Sequence, residues 1–138
     1  MTPKEQVELL MNDGIGFAET LLRKHGELFP FGVSMHSLGE IRHVNVYDGR
    51  EQPPPAEVTS LLISALRQLA DRGESNAVAL FANVTIQDRA GEQIRDAIQV
   101  GLEHASGYRI NVFFPYSLVD GEVEIGELFL GSHLSFPE

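Results

Sequence analysis

The spacing of apolar positions switches between helical and alternating along the chain, and each switch marks an element. Val7, Leu10, Met11, Phe17, Ala18, Leu21 and Leu22 recur at helical spacing, which predicts an amphipathic helix over about Pro3 to His25. Thr2 and Glu5 have the spacing of a capping box, and Pro3 suits the first helical position. Arg23, Lys24 and His25 complement the C-terminal dipole, and Gly26 is a natural terminator. Gly14 and Gly16 each weaken the middle by roughly 1 kcal/mol relative to Ala, so a bend or a close contact is expected there.

Phe31, Val33 and Met35 then alternate with Gly32, Ser34 and His36, and the chain returns through Arg42, Val44 and Val46. A four-residue turn, Ser37 to Glu40, sets Val33 opposite Val44, Phe31 opposite Val46 and Ser34 opposite His43. Pro53-Pro54-Pro55 follows. It resembles a polyproline recognition segment, but a helix begins directly after it, so it reads as the entry to that helix. Val58, Leu61, Leu62, Ala65, Leu66 and Leu69 form its stripe, which ends near Arg72-Gly73.

The strongest pattern lies between Asp96 and Tyr116, which reads as a β-hairpin closed by Ala105-Ser106-Gly107. Pairing His104 with Tyr108 puts Leu102 opposite Ile110, Val100 opposite Val112 and Ile98 opposite Phe114. The same register puts Glu103 opposite Arg109 on the other face, so apolar and charge pairs agree. Before it, Ala77 to Gln87 predicts a strand with Val78, Leu80, Ala82, Val84 and Ile86 toward the core and a turn at Asp88 to Gly91. After it, Asp120-Gly121 leads into a last strand around Glu122 to Leu130 and an irregular tail. The expected fold class is α+β: one domain over residues 1–138, an antiparallel sheet of five to six strands, and both helices on one face.

Composition removes several function classes. With no cysteine, disulfides, thiolate metal sites and cysteine nucleophiles are excluded. A net charge of −10 without clustered cations argues against nucleic acid and anionic membranes, and leaves a basic protein partner electrostatically open. No apolar run approaches the roughly 20 residues of a membrane span, and the N-terminal residues lack the pattern of a secretory signal, so a cytoplasmic protein is expected.

Phosphate-binding loops, zinc-protease helices, nucleophile elbows and EF-hand loops are absent, and nothing calls for a cofactor or a metal. His36 and His43 sit on one expected hairpin, but at a spacing that reads as exposed strand residues rather than ligands. Glu122 and Glu124 share one side of a strand, which suits a solvated acidic edge better than a metal site. If both helices cover one face, the other carries Tyr47, Phe81, Asn83, Gln99, Arg109, Asn111 and Phe113. Aromatics among uncharged polar groups and an Arg make a candidate partner-binding surface, for another protein or for a second copy across a two-fold axis. The competing account is that the last segment folds back over these residues.

Phe29-Pro30-Phe31, Glu103-His104-x-x-Gly107 and Pro115-Tyr116 resemble a pattern in small bacterial α+β proteins, some of which look like immunity proteins of secreted-toxin systems. That resemblance implies a non-enzymatic inhibitor covering a basic partner, and it supplies no catalytic residues. The alternative is a small enzyme or a ligand- or metal-binding domain with a pocket between the first hairpin and the acidic C-terminal strand. It would use His36, His43 or the Glu122–Glu124 pair.

Overall fold

A computed structural model describes residues 2–36, 39–45, 54–87 and 94–131. Tyr47, Val46, the Asp88 to Gly91 turn and the tail beyond Gly131 lie outside them. Helix α1 spans Pro3–His25, and the expected capping box is formed. Thr2 Oγ1 accepts from the Glu5 N–H at 3.1 Å, and the Thr2 N–H donates to Glu5 Oε1 at 3.1 Å. The helix stops at Gly26, whose φ of 73° is left-handed and whose N–H donates to the Leu22 carbonyl at 2.9 Å. Helix α2 spans Pro55–Asp71, with Pro54 at its N-cap.

Seven antiparallel strands make the sheet: β1 (Phe31–His36), β2 (Ile41–Val44), β3 (Ser75–Gln87), β4 (Ile94–His104), β5 (Arg109–Val119), β6 (Glu122–Ile125) and β7 (Phe129–Leu130). Their order is β2-β1-β3-β4-β5-β6, with β7 also on β5. The class is therefore α+β with helices packed on an antiparallel sheet, as the pattern predicts. The β4–β5 register is also the expected one, with Leu102 on Ile110, Val100 on Val112, Ile98 on Phe114 and Glu103 on Arg109.

Three expectations are corrected. The helices do not share a face. α1 packs Val7, Leu10, Ala18 and Leu22 with Phe31, Val33, Phe81, Ile98, Val100 and Leu102, whereas α2 packs Val58, Leu62 and Leu66 with Val78 and Leu80 on the reverse side. The cause lies in β3, where every residue from Ala77 to Ala82 is buried. A strand apolar on both faces needs a cover on each, as central strands flanked by helices do. The first hairpin is also one residue out of the expected register, with Val33 on His43 and Gly32 on Val44. Its closing bond runs from the His36 N–H to the Glu40 carbonyl, which shortens the loop by a residue and turns His43 toward α1. Finally, the expected last strand is two pieces, because one extra residue enters between the Tyr116–Ile125 and Phe113–Phe129 pairs.

Gly14 of α1 meets the expectation of a close contact. A Cβ there would lie 2.0 Å from the Phe81 ring, so only glycine lets the helix settle onto β3. Phe81 is fully buried and stacks on Phe31 with ring centroids 4.7 Å apart. Burying such side chains contributes roughly 1.5–3 kcal/mol each.

Candidate functional site

Phe81 is the core of the α1 face, not a partner surface. It shares with Asn83 the face that carries Ile98 and Val100, since Phe81 pairs with Val100 and Asn83 with Ile98. Gln99 and Asn111 do share the reverse face, as expected. Both are buried, and Gln99 Nε2 donates to Asn111 Oδ1 at 3.4 Å. Arg109 is exposed beside them, and Phe113 is half-buried, stacked on Phe129 of β7 with centroids 5.2 Å apart. Part of the last segment thus folds back against the expected surface, and α2 covers the β1–β3 half of that face.

His36 and His43 lie on opposite faces of the first hairpin, so the pair that the alternative reading would use is not assembled. His36 points to the α2 side, with Nε2 3.4 Å from Ser34 Oγ. His43 points to the α1 side, with Nε2 2.9 Å from Asp13 Oδ2 and its ring edge-on to Phe17. Glu122 and Glu124 lie on β6, at the sheet edge opposite β2, so the strand order separates them from the first hairpin. Among the described residues no group of three or more His, Asp or Glu could hold a metal.

His104 caps the α1 face. Its Nε2 meets Gln6 Oε1 of α1, and its Nδ1 lies 2.9 Å from Ser106 Oγ. Burial lowers its pKa from the ordinary 6.5. Unfolded His104 takes up a proton as the pH falls through 6.5 while the folded side chain resists it. This contribution to stability is therefore present above pH 6.5 and lost as the pH falls below it. Moving from about pH 7.5 to about pH 5.5 should lower the melting temperature of the wild type more than that of His104→Gln. Equal losses in the two proteins would remove His104 as the cause.

Two places on the molecule can meet a partner or ligand. The first is a notch where β1 begins. The β1–β3 ladder stops at the Phe31–Phe81 pair, whereas β3 continues against β4 to Gln87. A cavity of about 700 Å³ opens there. Ile63, Ala56, Ala82 and Val84 form an apolar wall on the α2 side, and Leu28 and Pro30 line the mouth. Asn83, Asp96 and Tyr116 form a polar wall, and Glu27 also lines the cavity. The Tyr116 hydroxyl donates to Asn83 Oδ1, and Asn83 Nδ2 donates to Asp96 Oδ1 at 3.5 Å. Burial and, secondly, the Asp96 charge push the Tyr116 phenol up to about 12, so it remains a donor at neutral pH. Among the described residues the lining holds two carboxylates and no Lys or Arg. Sequence reasoning missed Asp96 and Tyr116 here. The signal was the alternation itself, which puts Tyr116 in line with Val112 and Phe114 at the end of the face.

The second place is the free edge of β6 and β7. Leu118, Val119, Leu128, Phe129 and Leu130 are all exposed along it, and Leu130 is 61% exposed. Among the described residues the other exposed large apolar side chains, Leu9, Phe17, Phe29 and Leu61, lie on α1, α2 and the chain entering β1. Asp120, Glu122, Glu124 and Glu127 interleave this apolar edge, and no Lys or Arg follows Pro115. Among the described residues no helix is long and apolar enough to cross a membrane. Comparisons with protein-family models, with curated proteins and with solved structures return no match to this chain.

Proposed function

We propose that this chain is a cytoplasmic, non-enzymatic protein-binding module whose contact surface is the β6–β7 edge. The observation that carries this reading is the concentration of exposed apolar side chains on that edge, with Phe129 and Leu130 at its centre. Scattered exposed apolar groups are ordinary on a monomer, but a run of them beside an edge strand favours association. The carboxylates that interleave them favour a partner with basic groups around an apolar contact, and the net charge of −10 steers such a partner inward. An immunity-like inhibitor of a basic toxin is the specific form that fits this charge. A second copy of the chain would have to be held by the apolar side chains against that charge, and it is the competing occupant.

The test is to isolate the wild type and the Phe129→Ser, Leu130→Ser double variant from the native host side by side. A stoichiometric protein should accompany the wild type and be lost from the variant, while circular dichroism melts stay within a few degrees. Light scattering on the pure protein then separates a foreign partner from a second copy. A small molecule carried by both proteins, with no accompanying chain, would overturn the reading.

A further inference from the structure

We propose that the notch beside β3 is a second binding site, which takes an extended peptide segment of alternating basic and apolar side chains by strand addition. It does not rest on the β6–β7 edge, so the two can fail separately.

Backbone phase comes first. The His104 N–H donates to the Tyr108 carbonyl at 2.8 Å, so His104, Leu102, Val100 and Ile98 direct their backbone groups toward β5. Backbone groups alternate along an antiparallel strand, so Glu103, Gly101, Gln99 and Ala97 turn theirs toward β3. Their partners there are Val78, Leu80, Ala82 and Val84. The N–H and C=O of Asn83 and Thr85 consequently point away from β4. Phe81 has the same phase and pairs with Phe31, but among the described residues no strand pairs with β3 beyond it. This leaves an open ladder of two residues with four hydrogen-bonding groups, the template that an added strand uses.

Side-chain chemistry comes second. Residues directly opposite one another in a ladder share a face. Positions of an added strand opposite Asn83 and Thr85 would lie on the side of Asp96 and Tyr116. Those opposite Ala82 and Val84 would lie on the side of Ile63. Among the described lining residues one side offers the Asp96 carboxylate and the Tyr116 hydroxyl, Glu27 adds a second carboxylate with no Lys or Arg, and the other side offers Ala56, Ile63, Ala82 and Val84 beside the hydroxyls of Thr59 and Ser60. A segment alternating Lys or Arg with Val, Ile or Leu answers both at once, since the period of a strand is two. The occupant is a segment of another protein rather than an acidic strand of this chain, because two acidic edges repel.

The probe is a blocked eight-residue peptide alternating Val and Lys, titrated into the full chain by calorimetry and followed by amide chemical shifts. Saturable one-to-one binding with shifts at Asn83, Thr85 and Asp96 is expected. Affinity should fall about tenfold or more for a Val–Glu peptide, for the Val–Lys peptide N-methylated at the residues that face β3, and for Asp96→Asn protein. The N-methylated peptide leaves the protein unchanged, so its result does not depend on any variant folding. No binding at millimolar peptide, equal binding of the N-methylated or the Val–Glu peptide, or shifts confined to other strands would each overturn the proposal. So would a concentration-dependent dimer that protects the Asn83 and Thr85 amides, since the occupant would then be a second copy.

Discussion

A Val100→Asp variant is expected to show no cooperative melt, or a midpoint lower by more than about 10 °C, because an unpaired buried carboxylate costs several kcal/mol against a total stability of about 5–15. Val100 is fully buried in the middle of β4, between Phe81 on β3 and Val112 on β5, under α1. The cluster around it is built of apolar and aromatic side chains. Val119→Asp is the matched control. It makes the same chemical change at a side chain 45% exposed near the end of β5, and should move stability by no more than about 0.5 kcal/mol. Thermal melts by circular dichroism compare the two, and a Val100→Asp midpoint within a few degrees of wild type would refute the register of the sheet.

The second large effect is a reversal between two glycines of one helix. Replacing a mid-helix glycine by alanine ordinarily stabilises by about 1 kcal/mol. Gly16→Ala should do so, since a Cβ there meets nothing within 4 Å. Gly14→Ala should destabilise, because the new methyl would lie 2.0 Å from Phe81 Cζ and within 2.7 Å of two further ring atoms. The ring is fully buried and stacked on Phe31, so it has nowhere to swing. Overpacking of this kind costs about 1–3 kcal/mol and should outweigh the gain in propensity. Melting temperatures should move in opposite directions, by roughly 2–5 °C for each kcal/mol. A rise for both would mean that α1 does not sit on β3 as described.

How far the sequence carried each element depends on whether its two faces differ. In β4 and β5 one face is apolar and the other carries Gln99, Glu103, Arg109 and Asn111, so only one register satisfies both, and it is the observed one. α1 was legible for the same reason, down to the Thr2–Glu5 cap. β3 offers no such contrast. Val78, Leu80 and Ala82 alternate with Ala77, Ala79 and Phe81, and either set reads as the buried one. Both are buried, and a continuous apolar run does not say which face a helix takes. Choosing one set as the core turned Phe81 outward, placed both helices on one side, and offered Phe81 as a contact residue. β1 is similar, since Gly32 and Ser34 are small enough to lie under α2, where a Cβ on Gly32 would sit 3.2 Å from Leu66. The notch was invisible for a different reason. It arises from the unequal lengths of β1 and β3, and strand ends are the least determined part of any pattern.

The order of elements along the chain also matters during synthesis. The face of α1 formed by Val7, Leu10 and Leu22 closes on Phe81, Ile98, Val100 and Leu102, which are translated long afterwards. At about 5–20 residues per second, the interval between the end of α1 and the completion of β4 is roughly 4–16 seconds. Until β3 is made the helix has β1 alone as a native cover, and its cover is incomplete until β4 follows. β3, β4 and β5, in contrast, each pair with the next strand in sequence and can close on it as it emerges. The nascent helix is thus the segment for which chaperones have the longest opportunity, and its apolar stripe is what they would hold.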